Sequence, residues 1–258
     1  MSAEEVIALI ESVAPLSQQE SWDNSGLQIG QRNTEVSSAL LCTDVNDAVV
    51  DEAIEKGCQM IVSHHPLLFH GLKHICGDSL SERCAVKAIK NGIVIYSAHT
   101  SMDKYQFGVS GKMAEKLGIA EFSILSPAEG EVGLGVIGNL PEPLSLQQFL
   151  ALLKKQFRSQ AIRYVPSVSE RKISRVALCG GAGSEFLEDA VSQGADAFVS
   201  ADFKYHEFLA ADGRINVFDI GHFESEQFTK DIFRSLLDGV VNCIDSENDI
   251  PVIQAYLG

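Results

Sequence analysis

Two adjacent histidines at the end of an apolar run, His64 and His65, are the residues of this sequence most able to do chemistry. They close Met60-Ile61-Val62-Ser63 and are followed at once by Pro66. A second set lies far along the chain in Phe218-Asp219-Ile220-Gly221-His222-Phe223-Glu224-Ser225-Glu226, and Asp103 stands in a similar setting between them. Each set reads as a buried strand running out into imidazoles and carboxylates. A strand end holds its side chains rigidly and leaves one side open, which is what a metal site needs. Nitrogen and oxygen donors without thiolate suit two divalent ions, bridged by a carboxylate and by water or hydroxide. Zn²⁺, Mn²⁺, Fe²⁺ and Co²⁺ all fit that donor set.

Spacing refines the expectation. Neighbours on a regular strand point to opposite faces, so His64 and His65 are expected to serve different ions, diverging where the chain breaks into Pro66. His222 and Glu226 are four residues apart and share a face if a helix starts there, and His99 and Asp103 repeat that spacing. Plainer readings compete. A lone histidine beside a strand is ordinarily a hydrogen-bonded rim residue, Asp103 alone is a loop acid, and a His/Glu pair also serves as a surface helix contact. His70 and His74 read as surface residues. His99 reads as orienting Asp103 or a ligand histidine, and His206 as a pocket base or a buried polar group. Trp22, the only tryptophan, precedes Asp23-Asn24-Ser25-Gly26. Its ring either packs over an Asx-rich turn or walls a cavity for a planar ligand.

The elements that must position these groups repeat. Leu41-Cys42-Thr43-Asp44 opens a segment running through Asp51-Glu52-Ala53 and Gly57 to Ile61-Val62-Ser63. Leu178-Cys179-Gly180-Gly181 opens another, running through Glu188-Asp189-Ala190 and Gly194 to Phe198-Val199-Ser200, at a constant offset of 137 residues. Each reads as strand, helix ending at glycine, then parallel strand. The predicted class is α/β: two related α/β domains from an internal duplication, each a mixed sheet flanked by helices. His64 and His65 align with Ala201 and Asp202, so the scaffold does not require the imidazoles.

Further elements are predicted at 84–90, 93–96, 110–117 and 146–156, the last capped by Ser145. Glu129 to Gly138 opens a glycine-rich strand with an edge or bulged character, 228–238 is a helix, and 251–256 is a strand returning to the first sheet. The domains are expected at 1–127, with 220–258 as a candidate completion, and at 128–219, with the metal site between them. The run Gly180-Gly181-Ala182-Gly183-Ser184 reads as a tight strand-to-helix turn or an anion cradle. It carries no dinucleotide fingerprint or Walker lysine.

Composition bounds the partners. With 258 residues, 45% of them hydrophobic, the chain supports a sizeable core. Thirty-five acids against twenty bases give a net charge of -15, a field that repels phosphate backbones and argues against nucleic acid. The start is acidic and no apolar run reaches membrane-helix length, so the expected location is the cytoplasm, with no membrane association. The six cysteines form no C-x-x-C pair and read as reduced structural thiols.

Five motifs together resemble the NIF3-like family, also called the dinuclear metal-centre or type 2 GTP cyclohydrolase I-like family. They are Trp22-Asp23-Asn24-Ser25-Gly26-Leu27-Gln28-Ile29-Gly30, Ser63-His64-His65-Pro66-Leu67, His99-Thr100-Ser101-Met102-Asp103, Lys204-Tyr205-His206 and Gly221-His222-Phe223-x-x-Glu226. The resemblance implies ligands at His64, His65, Asp103, His222 and Glu226, with Glu226 as a bridge, and two divalent ions per chain. It implies supporting roles for His99, His206 and Ser101, with Trp22, Asp23, Asn24, Asp202, Lys204 and Tyr205 lining the pocket. It also implies a homo-hexamer built as a trimer of dimers, and a metal-dependent hydrolase acting on a nucleotide or small phosphate ester. A metal-binding scaffold without catalysis is the alternative. Ser101 departs from the family's usual Asn, and the segment between the repeats is too short for the domain that longer members insert.

Overall fold

Apolar runs without polar alternation become the central strands of two sheets, because a strand covered on both faces has no polar side to show. This computed structural model describes residues 1–128, 132–169 and 171–256. In chain order the elements begin with α1 (Ala3–Glu11), β1 (Gly26–Ile29), β2 (Ser38–Cys42), α2 (Asp47–Glu55), β3 (Met60–Ser63), α3 (Leu80–Lys90), β4 (Val94–Ser97) and α4 (Thr100–Lys104). They continue with α5 (Val109–Lys116), β5 (Phe122–Pro127), β6 (Gly133–Leu144), α6 (Leu146–Phe157), β7 (Arg163–Val165), β8 (Ile173–Ala182) and α7 (Leu187–Ser192). The chain closes with β9 (Ala197–Ala201), α8 (Tyr205–Leu209), β10 (Asn216–Asp219), α9 (His222–Glu226), α10 (Thr229–Leu237) and β11 (Asn242–Asp245).

Two compact units result: Met1–Met102 with Thr229–Ile250, and Asp103–Phe228 with Pro251–Gly258. The division falls inside α4 rather than near the expected residue 127. Among the described residues, no helix is long and apolar enough to cross a membrane.

The first unit carries a sheet in the order β1-β4-β3-β2-β11. Only β1 is antiparallel to its neighbour. Every residue of β2, β3 and β4 is buried. Asn46 and Ser79 cap α2 and α3 by accepting from the Val49 and Glu82 amides. The strand that returns to this sheet is β11, not the expected 251–256. It runs parallel beside β2 as far as Asp245 and Leu41. There the buried Asp249 carboxylate accepts the Thr43 and Asp44 amides at 2.9 and 3.2 Å, with Lys230 Nζ 2.6 Å away. That cap ends the sheet, and Val252, Ile253 and Tyr256 lie exposed beyond it.

The second unit carries a mixed sheet in the order β5-β6-β8-β9-β10-β7. The glycine-rich strand β6 is interior, antiparallel to both β5 and β8, with an irregular register between Asn139 and Leu144. The edge expectation fails because β5 covers it. Glu129-Gly130-Glu131, the expected start of that strand, lies outside the described residues. Phe149, Phe157 and Phe218 fill one core cluster and Phe198 and Phe203 another, each worth about 1.5–3 kcal/mol of burial.

The duplication holds at the level of register. Ala39 faces Met60 and Leu41 faces Val62 between β2 and β3, and Val176 faces Ala197 and Leu178 faces Val199 between β8 and β9. These are the pairs that the 137-residue offset requires. In both units a third parallel strand follows, β4 beside β3 and β10 beside β9.

Glu52 on α2 ties the end of β11 to the first repeat. Its carboxylate accepts from Lys56 Nζ at 2.7 Å, Ser246 Oγ at 2.6 Å, the Glu247 amide at 3.0 Å and Asn248 Nδ2 at 3.0 Å. Burial opposes ionisation, but these donors outweigh it and hold the carboxyl down to about 2, from 4.5. A depressed folded-state value contributes stability above about pH 4.5, lost as the pH falls towards 2. Glu52→Gln is expected to cost about 2–3 kcal/mol at pH 7. In paired urea melts the gap to the unaltered protein should narrow steadily below pH 4.5; a gap that does not change with pH would contradict the assignment.

Candidate metal centre

Strand β3 stops at Ser63, one residue before the histidine pair. The His64 and His65 amides then bond Cys42 O at 3.2 Å and Thr43 O at 2.9 Å. Two successive amides aimed at one neighbour cannot occur in a regular strand, so the alternation of faces has already ended. The two rings consequently sit side by side, centroids 4.9 Å apart, instead of on opposite faces. Ser63 Oγ and Ser97 Oγ donate to the His65 carbonyl at 2.9 and 3.2 Å, which fixes the backbone between the rings and Pro66.

Each ring in the first unit is anchored through Nδ1. His64 Nδ1 donates to Ala98 O at 2.9 Å, His65 Nδ1 to Asp44 Oδ1 at 2.8 Å, and His99 Nδ1 to Asp23 Oδ1 at 2.9 Å. His64, His65 and His99 each offer a donor atom, and these atoms lie within 4.8 Å of one another. A carbonyl oxygen can only accept, so Nδ1 of His64 carries the proton and Nε2 the lone pair.

Asp23, expected to line a pocket, is instead the anchor of His99. Its other oxygen accepts from Ser25 Oγ at 2.7 Å, Thr100 Oγ1 at 2.5 Å and the Thr100 amide at 3.1 Å. Burial pushes its carboxyl up, but His99, Thr100 and Ser25 together hold it well below the usual carboxylate range. Asn24 bonds Leu68 O at 2.6 Å and so fastens the loop after the histidine pair. Trp22 is 59% exposed, with its ring 6.0 Å from that of Phe69 and 5.9 Å from that of His99. The packed-ring reading of Trp22 therefore gives way to an open aromatic wall beside the imidazoles. Ser101 is fully buried, and its Oγ has no hydrogen-bond partner among the described residues.

In the second unit His222 opens α9 and Glu226 closes it, so the four-residue spacing does become one helix turn. His222 Nδ1 is bonded to Asp202 Oδ2 at 2.7 Å, and its Nε2 lies 3.2 Å from Glu226 Oε2. A carboxylate oxygen of Asp103 lies within 4.8 Å of one from Glu226. Asp202, which occupies the place of His65 in the duplication, thus orients an imidazole instead of supplying one. Burial disfavours a charged His222 ring, yet Asp202 and Glu226 outweigh it and raise its pKa to about 11.

The glycine run forms the expected tight strand-to-helix turn, with Gly183 between the end of β8 and a short 3-10 turn at Ser184–Phe186. It continues β8 to Ala182, and a Cβ on Gly181 (φ +64) would collide with Glu226 Oε1 and press on the His222 ring. The Gly181 amide bonds Ser225 Oγ at 2.9 Å, and that hydroxyl donates to His222 O at 2.7 Å. Gly181 is the seat of the helix that carries both ligand candidates. Nearby Cys179 is pushed far up by burial, with Asp103 and Glu226 adding to the effect, so it stays a thiol and offers no thiolate ligand. Lys204, Tyr205 and His206 are exposed at the start of α8, the last two rings meeting edge to face at 5.3 Å. They are not among the grouped donors. Sequence reasoning missed Asp44, Gly181 and Ser225; the 137-residue offset that pairs Asp44 with Gly181 was the available signal.

The family profile of Duf34/NIF3 (NGG1p interacting factor 3) matches residues 1–255. The chain belongs to the DUF34/NIF3 family. A Clostridium perfringens relative named GTP cyclohydrolase 1 type 2 homolog is 35% identical over 231 residues, covering 88% of this chain and 87% of the relative. A Clostridium acetobutylicum protein of the same name is 32% identical, covering 98% and 96%. Among solved structures, a Bacillus cereus protein related to NIF3 superposes with a TM-score of 0.90 at 26% identity, covering 99% of both chains. A Staphylococcus aureus hypothetical protein gives 0.91 at 28%, also covering 99% of both. This DUF34/NIF3 chain therefore combines the family's α/β fold with His, Asp and Glu groups suited to divalent ions.

Gly181→Ala tests the seat of Glu226. The expected result is an ion affinity weakened about tenfold or more, with about 1–2 kcal/mol of stability lost to the left-handed backbone. Gly194→Ala is the matched control, because Gly194 has φ +72 but nothing within 4 Å of an added Cβ. It should lose similar stability and no ion affinity in chelator-competition titrations. Equal ion affinity in both variants would contradict the role given to Gly181.

Proposed function

We propose that this protein is a metal-dependent hydrolase in which His64, His65, Asp103, His222 and Glu226 together hold two divalent ions, with Glu226 as the bridge. The observation that carries the reading is the common wiring of the imidazoles. His64, His65 and His222 are each fastened through Nδ1 to an oxygen, which turns Nε2 towards a ligand. Two bound ions would lower the pKa of a shared water and polarise the bond under attack.

The chain's own residues supply the rest. Asp44, Asp202 and the Ala98 carbonyl hold the ligand rings in one tautomer. His99, held by Asp23 beside the His64 and His65 rings, is placed to move a proton to or from the substrate. Trp22 and Phe69 present open aromatic faces beside His99, suited to the flat base of a purine nucleotide. The relatives' name, GTP cyclohydrolase 1 type 2 homolog, supports a nucleotide over other phosphate esters. The net charge of -15 favours a small substrate neutralised by metal over a polyanion. The family resemblance supports a hexamer, a trimer of dimers.

The test is elemental analysis of protein purified without chelator, followed by a screen of nucleotides and phosphate esters with Zn²⁺, Mn²⁺, Fe²⁺ and Co²⁺. Two ions per chain and metal-dependent turnover are expected, with six chains per particle by light scattering. His64→Ala/His65→Ala should lose one or both ions and all turnover, yet melt close to the unaltered protein, because the second repeat folds with Ala201 and Asp202 in those places. Two ions retained in that variant would overturn the ligand assignment. Two ions bound with no turnover of any substrate would leave the non-catalytic scaffold as the reading.

A further inference from the structure

The ladder between β9 and β10 ends at Ser200 and Asp219, with the Ile220 amide on Ser200 O at 3.1 Å. Beyond that point the chain must place two groups that bond each other, Asp202 on one side and His222 on the other. Asp202 follows the end of β9 and His222 is the first residue of α9. Asp202 has φ +59 and Gly221, just before His222, has φ +97. Both approaches to the pair pass through left-handed backbone, outside the strand ladder.

The Asp219 side chain bonds both approaches, one with each of its oxygens. Oδ2 accepts the Phe203 amide at 3.1 Å, and Oδ1 accepts the Gly221 amide at 3.1 Å. Phe203 directly follows Asp202, and Gly221 directly precedes His222. One carboxylate is thus bonded to the backbone one residue away from each member of the Asp202–His222 pair. It is itself immobilised: its side chain is 6% exposed, and the Arg163 guanidinium, reaching across from β7, bonds Oδ2. Asp219 takes over from the finished ladder as the brace between the two strand ends.

We propose that Asp219 is a positioning residue, whose carboxylate sets the direction of the His222 ring by fixing the backbones of Asp202 and His222 against each other. The inference rests on the reading of His222 as a metal ligand and adds to it the group that aims the ring. An imidazole is useful to an ion only within roughly 0.5 Å and 10–20° of its bonding direction, so a brace at this place governs affinity without touching the ion.

Asp219→Asn provides the test. The amide keeps the shape, but its nitrogen cannot accept, so one of the two backbone amides loses its partner. Cobalt(II) affinity, measured against a chromophoric chelator, is expected to fall about tenfold, with a changed visible absorption band. Arg163→Met keeps both amide bonds and should cost about twofold, because the guanidinium is itself largely exposed. If Asp219 acts through the pair, Asp219→Asn added to Asp202→Asn should weaken binding little beyond Asp202→Asn alone. Fully additive losses would overturn the proposal, as would cobalt affinity and spectrum unchanged in Asp219→Asn. Should Asp219→Asn fail to fold, the same cycle run with Asp219→Glu, whose longer side chain cannot hold both amides in the same place, decides by the same criterion.

A second readout needs no metal. In ¹⁵N-labelled, metal-free protein the His222 Nδ1–H should give a protected downfield signal, assigned by its loss in His222→Gln. That signal should shift or broaden in Asp219→Asn. An unaltered protein that binds no cobalt would refute the proposed function yet leave this signal in place. A signal identical in Asp219→Asn would refute the positioning role and leave the proposed function standing.

Discussion

A neutral imidazole has one N–H and one lone pair, so whatever takes the proton on one nitrogen decides where the other points. In this chain Nδ1 of His64, His65, His99 and His222 is always the anchored atom, on Ala98 O, Asp44, Asp23 and Asp202 respectively. Every one of those anchors sits at or just beyond a strand end or in a turn, where the backbone is fixed by buried neighbours. The rigid parallel strands, the glycine seat at Gly181 and the carboxylate braces all serve this one requirement. A ring free to rotate would cost entropy on each binding event; a ring already held by Nδ1 does not.

The duplication shows how two copies of one scaffold carry acids and imidazoles at different strand ends. In the first copy the acid is on the first strand, Asp44, and the imidazole it holds is on the second, His65. In the second copy the place of Asp44 is taken by Gly181 and that of His65 by Asp202. The acid has moved one strand along, and the imidazole it holds, His222, has moved to the end of the third. The first copy keeps an echo of that third-strand arrangement, since His99 and Asp103 follow β4 at the same four-residue spacing as His222 and Glu226 follow β10. The vacated first-strand position is used for space: with no side chain, Gly181 lets Glu226 pack against β8. Identical strand register, with the polar side chains shifted by one strand, accounts for two different sets of acids and imidazoles from one fold.

Much of this was legible in the residues because the signals were local. The βαβ repeat, its helix-ending glycines Gly57 and Gly194, and the cap at Ser145 all depend on neighbours within a few positions, and the structure has them where expected. The third strand of each unit and the turn of helix from His222 to Glu226 follow as well. What sequence could not supply is long-range. The returning strand was expected at 251–256, but Asp249 caps β2 first and closes the sheet. The edge expectation for β6 failed because glycine suits an interior strand as well as an edge one when its neighbours approach closely. His64 and His65 were expected to diverge where the chain breaks into Pro66, and the paired amides on Cys42 and Thr43 show that the strand has already ended before them. Asp23, Asp44 and Asp202 are ordinary acids in sequence, and their roles as anchors appear only when the partner ring is brought to them.

The most direct measurement is an anomalous difference map from crystals of the unaltered protein grown with Mn²⁺ or Zn²⁺, collected at the metal absorption edge. Two peaks per chain are predicted, bonded through Nε2 of His64, His65 and His222. The Nδ1 bonds to Ala98, Asp44 and Asp202 should be unchanged. Ligation through Nδ1, or peaks remote from these rings, would contradict the account.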